Sequence, residues 1–222
     1  KTTYLKFLDR AAKSKYDVIQ IQEHHRPPEQ DAWSKAEAIK RGLRIELAYD
    51  GSNSGAGGAA TLIRLPKPHR PTSVDPASIA FSHYPTSHGA ILSVSLSATA
   101  RGTNPPATHS LHFTNLYVPS YPAERRIFAD ALADHCDSDD SPIKEHTVVS
   151  GDFNYVADKN EDLAYYGISE SEAARRRRAY DNTGMSQIEA LISGSDLIDR
   201  GRKSVGKGGF TRHDTVNQMH AR

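Results

Sequence analysis

Layered α and β structure, of the α/β or α+β kind, is what this 222-residue sequence predicts, and three observations predict it. Strand-like apolar segments outnumber the few helical ones, strand and helix alternate through the middle of the chain, and no segment repeats at a fixed period. A helical bundle would lack the strands and a pure β barrel would lack the helices.

The elements follow in order. Leu5, Leu8 and Ala12 lie at helical spacing, so the chain is expected to begin inside a helix. Asp17 to Glu23 reads as a strand, with Ile19, Ile21 and Glu23 on one face and Val18, Gln20 and Gln22 on the other. Asp31 to Arg41 reads as a helix that Gly42 can end. Strands over Leu43 to Ala48 and Ala59 to Leu65 flank a glycine-rich loop, giving a hairpin-like unit. Ala90 to Ser97 and Ser110 to Tyr117 flank a Gly/Asn/Pro loop and are expected as antiparallel neighbours. Ala123 to His135 is a helix with Ile127, Ala131 and Leu132 apolar, and Thr147 to Phe153 is a short strand. Helices are expected over Glu170 to Arg178 and Ser186 to Ser193, followed by a polar, glycine-containing stretch from Gly194 to Gly209.

Composition narrows the function classes. With 37% hydrophobic residues the chain fits one domain, residues 1–222, around a shared core. A net charge of +1 excludes a polybasic binder yet leaves room for a local basic patch. Arg175, Arg176, Arg177 and Arg178 form the dense basic run, and basic residues outnumber acidic ones from there to Arg222, Arg212 included. Such a run is a solvated helix face or a contact to nucleic-acid phosphates. The single cysteine, Cys136, rules out an internal disulfide and a cysteine zinc site, and favours a reducing compartment. No apolar run approaches the roughly 20 residues that span a bilayer. His24-His25 cannot share a metal from one strand face, and no His-Glu-x-x-His pattern occurs. Gly55 to Gly58 lacks the Gly-Lys-Ser/Thr ending of a phosphate cradle and reads as a turn.

The chemistry is expected where strands end. Glu23 closes one strand, Asn115 and Tyr117 a second, Asp152 and Asn154 a third, and the i, i+2 spacing lets each pair face one way. Phosphodiester hydrolysis requires a hard cation, an activated water and stabilisation of the leaving oxygen, which carboxylate, amide and phenol groups can supply. Taken singly, Glu23 could be a surface carboxylate, Asp152 and Asn154 an Asx turn, and Tyr117 a packed ring.

Ile21-Gln-Glu23, Asn115-Leu-Tyr-Val-Pro119 and Ser150-Gly-Asp-Phe-Asn154 resemble, in order and spacing, the successive motifs of the endonuclease/exonuclease/phosphatase superfamily. Gly57 to Ile63, Glu124-Arg125 with Phe128, Leu197-Ile-Asp199 and Phe210-Thr211 extend the similarity over nearly the whole chain. The polar segment after Glu23 and the arginine-containing helix after Pro119 look most like the apurinic-type endonucleases of non-LTR (LINE) retrotransposons. The resemblance implies a four-layer, DNase I-like fold, two β-sheets packed together and flanked by helices. It implies Mg²⁺, with Mn²⁺ as a substitute, held by Glu23, a water oriented or deprotonated by Asp152, a phosphate bound by Asn154, and Tyr117 stabilising developing charge. It further implies duplex DNA as partner, Asn115 and Arg175 to Arg178 with Arg212 as DNA contacts, a larger polyprotein with reverse transcriptase, and a nuclear location.

Departures from the family pattern are as informative. Nothing before Tyr4 supplies the family's first strand with its metal-binding asparagine, and no counterpart of its terminal Asp-His pair follows Arg222. His213-Asp214 is reversed and too early to take that role, and Ser120 stands where repair relatives have asparagine. Residues 1–222 alone are therefore expected to be inactive. Alternative expectations are an abasic-site repair nuclease, a related phosphoesterase, or a DNA-binding remnant that no longer cleaves.

Overall fold

The computed structural model describes residues 2–51, 57–66, 73–99, 107–143, 147–154, 163–165, 169–179, 183–184, 186–188, 190, 212–214 and 219–221. Along the chain run α1 (Thr2–Lys13), β1 (Val18–Gln22), α2 (Asp31–Lys40), β2 (Leu43–Ala48) and β3 (Ala59–Arg64). Then follow β4 (Ala80–Tyr84), β5 (Ala90–Thr99), β6 (Thr108–Tyr117), α3 (Pro122–Cys136), β7 (Thr147–Asp152), β8 (Leu163–Tyr165), α4 (Glu170–Ala179), β9 (Arg212–Asp214) and β10 (Met219–Ala221).

Two main sheets form. The first has the order β1-β3-β2, antiparallel throughout; the second has the order β4-β5-β6-β7, antiparallel except for the parallel β6/β7 pair. A small antiparallel sheet, β8-β10-β9, gathers the C-terminal strands. The outer face of the first sheet (Leu43, Ile45, Leu47, Ala60 and Leu62) packs on Leu8 and Ala11 of α1 and Ala38 of α2. The outer face of the second (Ile91 and Leu116) packs on Phe128, Ala129 and Leu132 of α3 and on Ile188. Between the sheets lie Ile63, Val94 and Leu96, with Val18 and Phe113 against them. The result is helix, sheet, sheet, helix: a mixed α/β sandwich flanked by helices, the architecture expected.

One expectation about the elements is corrected, and one strand was not anticipated. In α3 the buried stripe is Arg125, Phe128, Ala129 and Leu132, whereas Ile127 is 45% exposed. The helix meets the sheet one residue round from the predicted line. The strand β4 had no expectation: Ser82 and His83 interrupt its apolar pattern, and only pairing of Ala80 to Tyr84 with Ile91 to Ser95 of β5 makes it a strand. Gly42 ends α2 as predicted, with φ of 74° and its N–H donating to Ile39 O at 2.9 Å. Of the helix expected over Ser186 to Ser193, residues 186–188 and 190 are helical, and the remainder, like the stretch from Gly194 to Gly209, lies outside the described residues.

The space between the sheets changes character along the strands. Register places Val18, Ile63, Val94, Phe113 and Val148 at one level, Gln20, Thr61, Leu92, Asn115 and Ser150 at the next, and Gln22, Ala59, Ala90, Tyr117 and Asp152 at the last. The middle is thus apolar at one end and polar toward the other. Buried polar groups need partners, and several here find them across the gap, although Gln20 Nε2 and Thr61 Oγ1 have none among the described residues. Ser150 Oγ donates to Gln20 Oε1 at 2.5 Å, and Gln22 Nε2 donates to Asn115 Oδ1 at 2.6 Å. Asn115 Nδ2 in turn donates to Ile21 O at 3.0 Å and Ala60 O at 2.9 Å.

Candidate active site

The polar end of the sandwich is where the three motif strands finish. Tyr117 is the last residue of β6, lies opposite Asp152 of β7, and is 9% exposed, its ring packed with Ala48, Ala59, Ala90 and Leu92. Burial comes first among the causes that push its phenol up to about 12, followed by the negative charges of Glu23, Asp50, Asp152 and Glu124. Each of these stabilises the uncharged phenol. Tyr117 is therefore a neutral O–H donor at ordinary pH, in a field set by four carboxylates.

How Glu23 comes to face this site differs from the alternation read in the sequence. Continued strand geometry would aim it with Ile19 and Ile21 toward the helices. Instead β1 ends at Gln22 and Glu23 takes φ of 52°, which breaks the alternation and leaves the carboxylate 51% exposed. His25 (φ 47°) and Asn154 (φ 49°) are likewise left-handed, and with Glu23 they are the non-glycine residues of positive φ among the described residues. Such conformations cost energy and persist where the surroundings enforce them, often at functional sites. Here the surroundings are visible: Glu23 N donates to Gly58 O at 2.8 Å, and Gly57 N donates to His25 Nδ1 at 3.3 Å.

Asp152 and Asn154 form a tight turn rather than an extended pair. Asn154 N donates to Asp152 Oδ1 at 3.1 Å, and Asn154 Nδ2 donates to Val118 O at 2.7 Å. Val118 N donates to Asp152 O at 2.9 Å. The Asx turn of the bland reading is present, at a strand end where such a turn can also present functional groups. One amide proton of Asn154 remains for a ligand.

Other predicted residues fall elsewhere. Asn115 is 0% exposed with its amide engaged on three sides, so it braces the sheets beneath the site and presents no surface to DNA. Arg175 is exposed and its guanidinium forks onto Glu172 at 2.8 and 2.7 Å. The side chains of Arg176, Arg177, Arg178 and Arg212 lie outside the described residues.

Several neighbours of the site had no functional expectation. Asp50 Oδ1 accepts from Gly89 N at 3.0 Å, drawing the β2 and β5 ends together. His24 Nδ1 accepts from Arg26 N at 3.0 Å and its Nε2 donates to Ala48 O at 3.0 Å, while burial lowers its pKa. It is a neutral structural brace. Imidazole also faces two of the carboxylates, His25 Nε2 lying 3.9 Å from Glu23 and His88 Nδ1 3.7 Å from Glu124. The sequence signals for these were a carboxylate beside a turn residue, Asp50-Gly51, and Glu124 within the family-like Glu124-Arg125 pair.

Gly57, at φ of 84°, lies flat against the Tyr117 ring: a Cβ there would overlap Cε1, Cζ and the hydroxyl. Gly57→Ala is expected to lose about 1–2 kcal/mol of stability from backbone conformation alone. Urea unfolding checks the loss, and ultraviolet titration of the phenol checks that the ring has been displaced. The buried phenol gives a second prediction. An unfolded tyrosine ionises near pH 10, whereas the folded one holds its proton until about 12. The stability due to this difference is complete below about pH 10 and is lost as pH rises toward 12. Melting temperatures between about pH 9 and about pH 12 should fall less steeply for Tyr117→Phe than for the parent. Tyr4 and Tyr84, also raised chiefly by burial, leave a residual slope in both.

A divalent ion needs oxygen donors. Among the described residues no three His, Cys, Asp or Glu side chains converge on a point, so these residues by themselves form no closed cage. One or two carboxylates amid surplus negative charge fit Mg²⁺, which keeps several waters and takes further oxygens from a phosphate.

No family model and no curated protein matches the sequence. Solved structures do. ANGEL2, a 2',3'-cyclic phosphatase in complex with adenosine-2',3'-vanadate, is similar over 80% of this chain and 52% of its own, at 16% identity and a TM-score of 0.42. The human Nocturnin catalytic domain with bound sulfate is similar over 70% of this chain and 58% of its own, at 12% identity and 0.39. An endonuclease/exonuclease/phosphatase family protein from Leptotrichia buccalis C-1013-b is similar over 100% of this chain and 78% of its own, at 15% identity and 0.49. The chain thus spans little more than half of the first two. Likeness at this level concerns the arrangement of sheets and helices and carries nothing about chemistry.

Proposed function

We propose that this chain carries the active site of a Mg²⁺-dependent phosphodiesterase that nicks DNA by water attack. The observation that carries the reading is Tyr117: a buried neutral phenol at a strand end, in the field of Glu23 and Asp152 from two other strand ends. The three motif segments, far apart in sequence, supply these groups. Glu23 would hold the ion, for which Mn²⁺ could substitute. A bound divalent ion offsets phosphate charge and makes water a better nucleophile.

The protein's own groups then have distinct tasks. Asp152, oriented by its bond from Asn154 N, accepts a proton from the attacking water or aligns it. The second amide proton of Asn154 donates to a phosphate oxygen, its first being fixed on Val118 O. Tyr117 donates its O–H where charge develops on the phosphate or leaving oxygen. The groups act by position and field, and no covalent intermediate is needed.

At a finer level we propose the endonuclease domain of a non-LTR retrotransposon, acting in the nucleus on duplex target DNA beside a reverse transcriptase. The ordered motifs and the basic residues after Arg175 support it. The experiment is a comparison of cleavage by the full-length protein on intact duplex and on the same duplex carrying one abasic site. Comparable nicking of both supports the retrotransposon reading; a strong abasic preference replaces it with a repair nuclease; tight binding with no turnover on either makes the domain a binding remnant.

A further inference from the structure

Tyr121 is 69% exposed, more than any other large hydrophobic residue that the described part of the chain leaves at its surface. It occupies the N-cap of α3, with φ of −78° and ψ of 130°, and makes no side-chain capping bond. That position ordinarily favours Ser, Thr, Asp or Asn, whose short oxygens satisfy the free N–H groups of the first turn. A phenol ring there forgoes the cap and leaves an aromatic face in water. Neither choice serves folding.

The ring is also held in a fixed place. Pro122 restricts the residue before it to extended conformations, so Tyr121 cannot curl into the helix. Three carbonyls around it are tied down. Asn154 Nδ2 holds Val118 O at 2.7 Å, the guanidinium of buried Arg125 holds Ser120 O at 2.9 Å, and Arg125 N holds Tyr121 O at 2.9 Å. Asp152 O receives Val118 N at 2.9 Å. The segment from Val118 to Tyr121 is thus held at Val118 by Asp152 and Asn154, two residues of the candidate site, and at Ser120 and Tyr121 by Arg125. Tyr121 lies four Cα–Cα steps from Tyr117, which limits their Cα separation to about 14 Å. On a nucleic-acid strand that is a few nucleotides.

We propose that Tyr121 is a stacking platform for an unpaired or extruded base of DNA lying within a few nucleotides of the phosphate held at Tyr117. Aromatic side chains on which bases stack bind strands with little regard for sequence, because every base has a π face. The inference rests on the phosphodiesterase reading for its substrate, and gives that site a preference for nucleic acid over a base-free diester. Tyr121 supplies affinity, and no part of the bond-breaking step falls to it.

The test is equilibrium binding of the full-length protein to a fluorescently labelled single-stranded oligodeoxynucleotide, by anisotropy with divalent cations chelated so that nothing is cleaved. A second oligomer has the same length and charge with every base replaced by tetrahydrofuran. Tyr121→Ala and Tyr121→Ser should bind the normal strand on the order of tenfold more weakly than the parent, and Tyr121→Trp should match it. On the base-free strand all four should bind alike. Tyr121→Ser, which restores a capping hydroxyl, should at the same time raise the urea midpoint. Unchanged affinity in Tyr121→Ala, an equal loss on the base-free strand, or a lower urea midpoint in Tyr121→Ser would each overturn the proposal. Because binding is read without cleavage, Tyr121-dependent binding in a protein that hydrolyses nothing would refute the hydrolase reading alone. Cleavage with a silent Tyr121→Ala would refute this inference alone.

Discussion

Asp152→Asn is expected to lower the rate constant for diester hydrolysis by about 10³-fold, within the range for loss of a positioned general base, while leaving the fold intact. The substitution is chosen for what it preserves. Asp152 holds the turn through its backbone carbonyl, which receives Val118 N, and through Oδ1, which receives Asn154 N. An asparagine oxygen can accept the same bond from Asn154, so the geometry survives and only the negative charge and the proton-accepting capacity go. Single-turnover hydrolysis of a labelled oligonucleotide duplex measures the first effect, and urea unfolding checks that stability moves by less than about 1 kcal/mol. A rate within threefold of the parent, about 0.65 kcal/mol in the barrier, would remove Asp152 from the reacting centre.

The second large effect is on stability. Asn115→Leu is expected to cost about 1–3 kcal/mol, because it leaves Gln22 Nε2 without its acceptor inside the inter-sheet layer. Ile21 O and Ala60 O each lose the bond from Asn115 Nδ2 but stay paired in the β1/β3 ladder. The urea midpoint reports this directly. A double variant with Gln22→Leu should be less destabilised than the two single changes summed, since removing both partners leaves fewer buried groups unpaired. A loss below about 1 kcal/mol for Asn115→Leu would mean that water enters and satisfies these groups, and that the amide is no clamp. The clamp matters for function as well. It joins the strand carrying Glu23 to the strand carrying Tyr117, so a tilt between the sheets would separate the carboxylate from the phenol.

The elements of the sandwich were legible wherever local pattern and tertiary burial agree. Leu43, Ile45 and Leu47 alternate in the sequence and line one buried face in the structure. Alternation failed where the partner, not the strand, decides. In β4, Ser82 and His83 hide a strand that exists because β5 lies beside it. The candidate site was legible as residue types at strand ends, and illegible as geometry. Glu23, assigned to the helix-facing side by strict period, turns away through a backbone conformation that its own side chain does not favour, imposed by the pairing of its N–H with Gly58. Asn115, two residues before Tyr117, shares its face and had the look of a second site residue. Depth separates them: the phenol stands at the rim and the amide one level below, a difference that spacing along one strand cannot encode. Asp50 and Glu124 were not read as site residues, because the charge each places near Tyr117 depends on how the end of β2 and the first turn of α3 approach β6.

The central claim is that Glu23, Tyr117 and Asp152 form one site for a phosphodiester bond. The most direct measurement is the conversion of supercoiled plasmid to open circles by the full-length protein with Mg²⁺, set beside its Glu23→Ala and Asp152→Ala variants. The account predicts Mg²⁺-dependent nicking by the parent, abolished by chelation and lost in both variants; nicking by either variant at the parent's rate would contradict it.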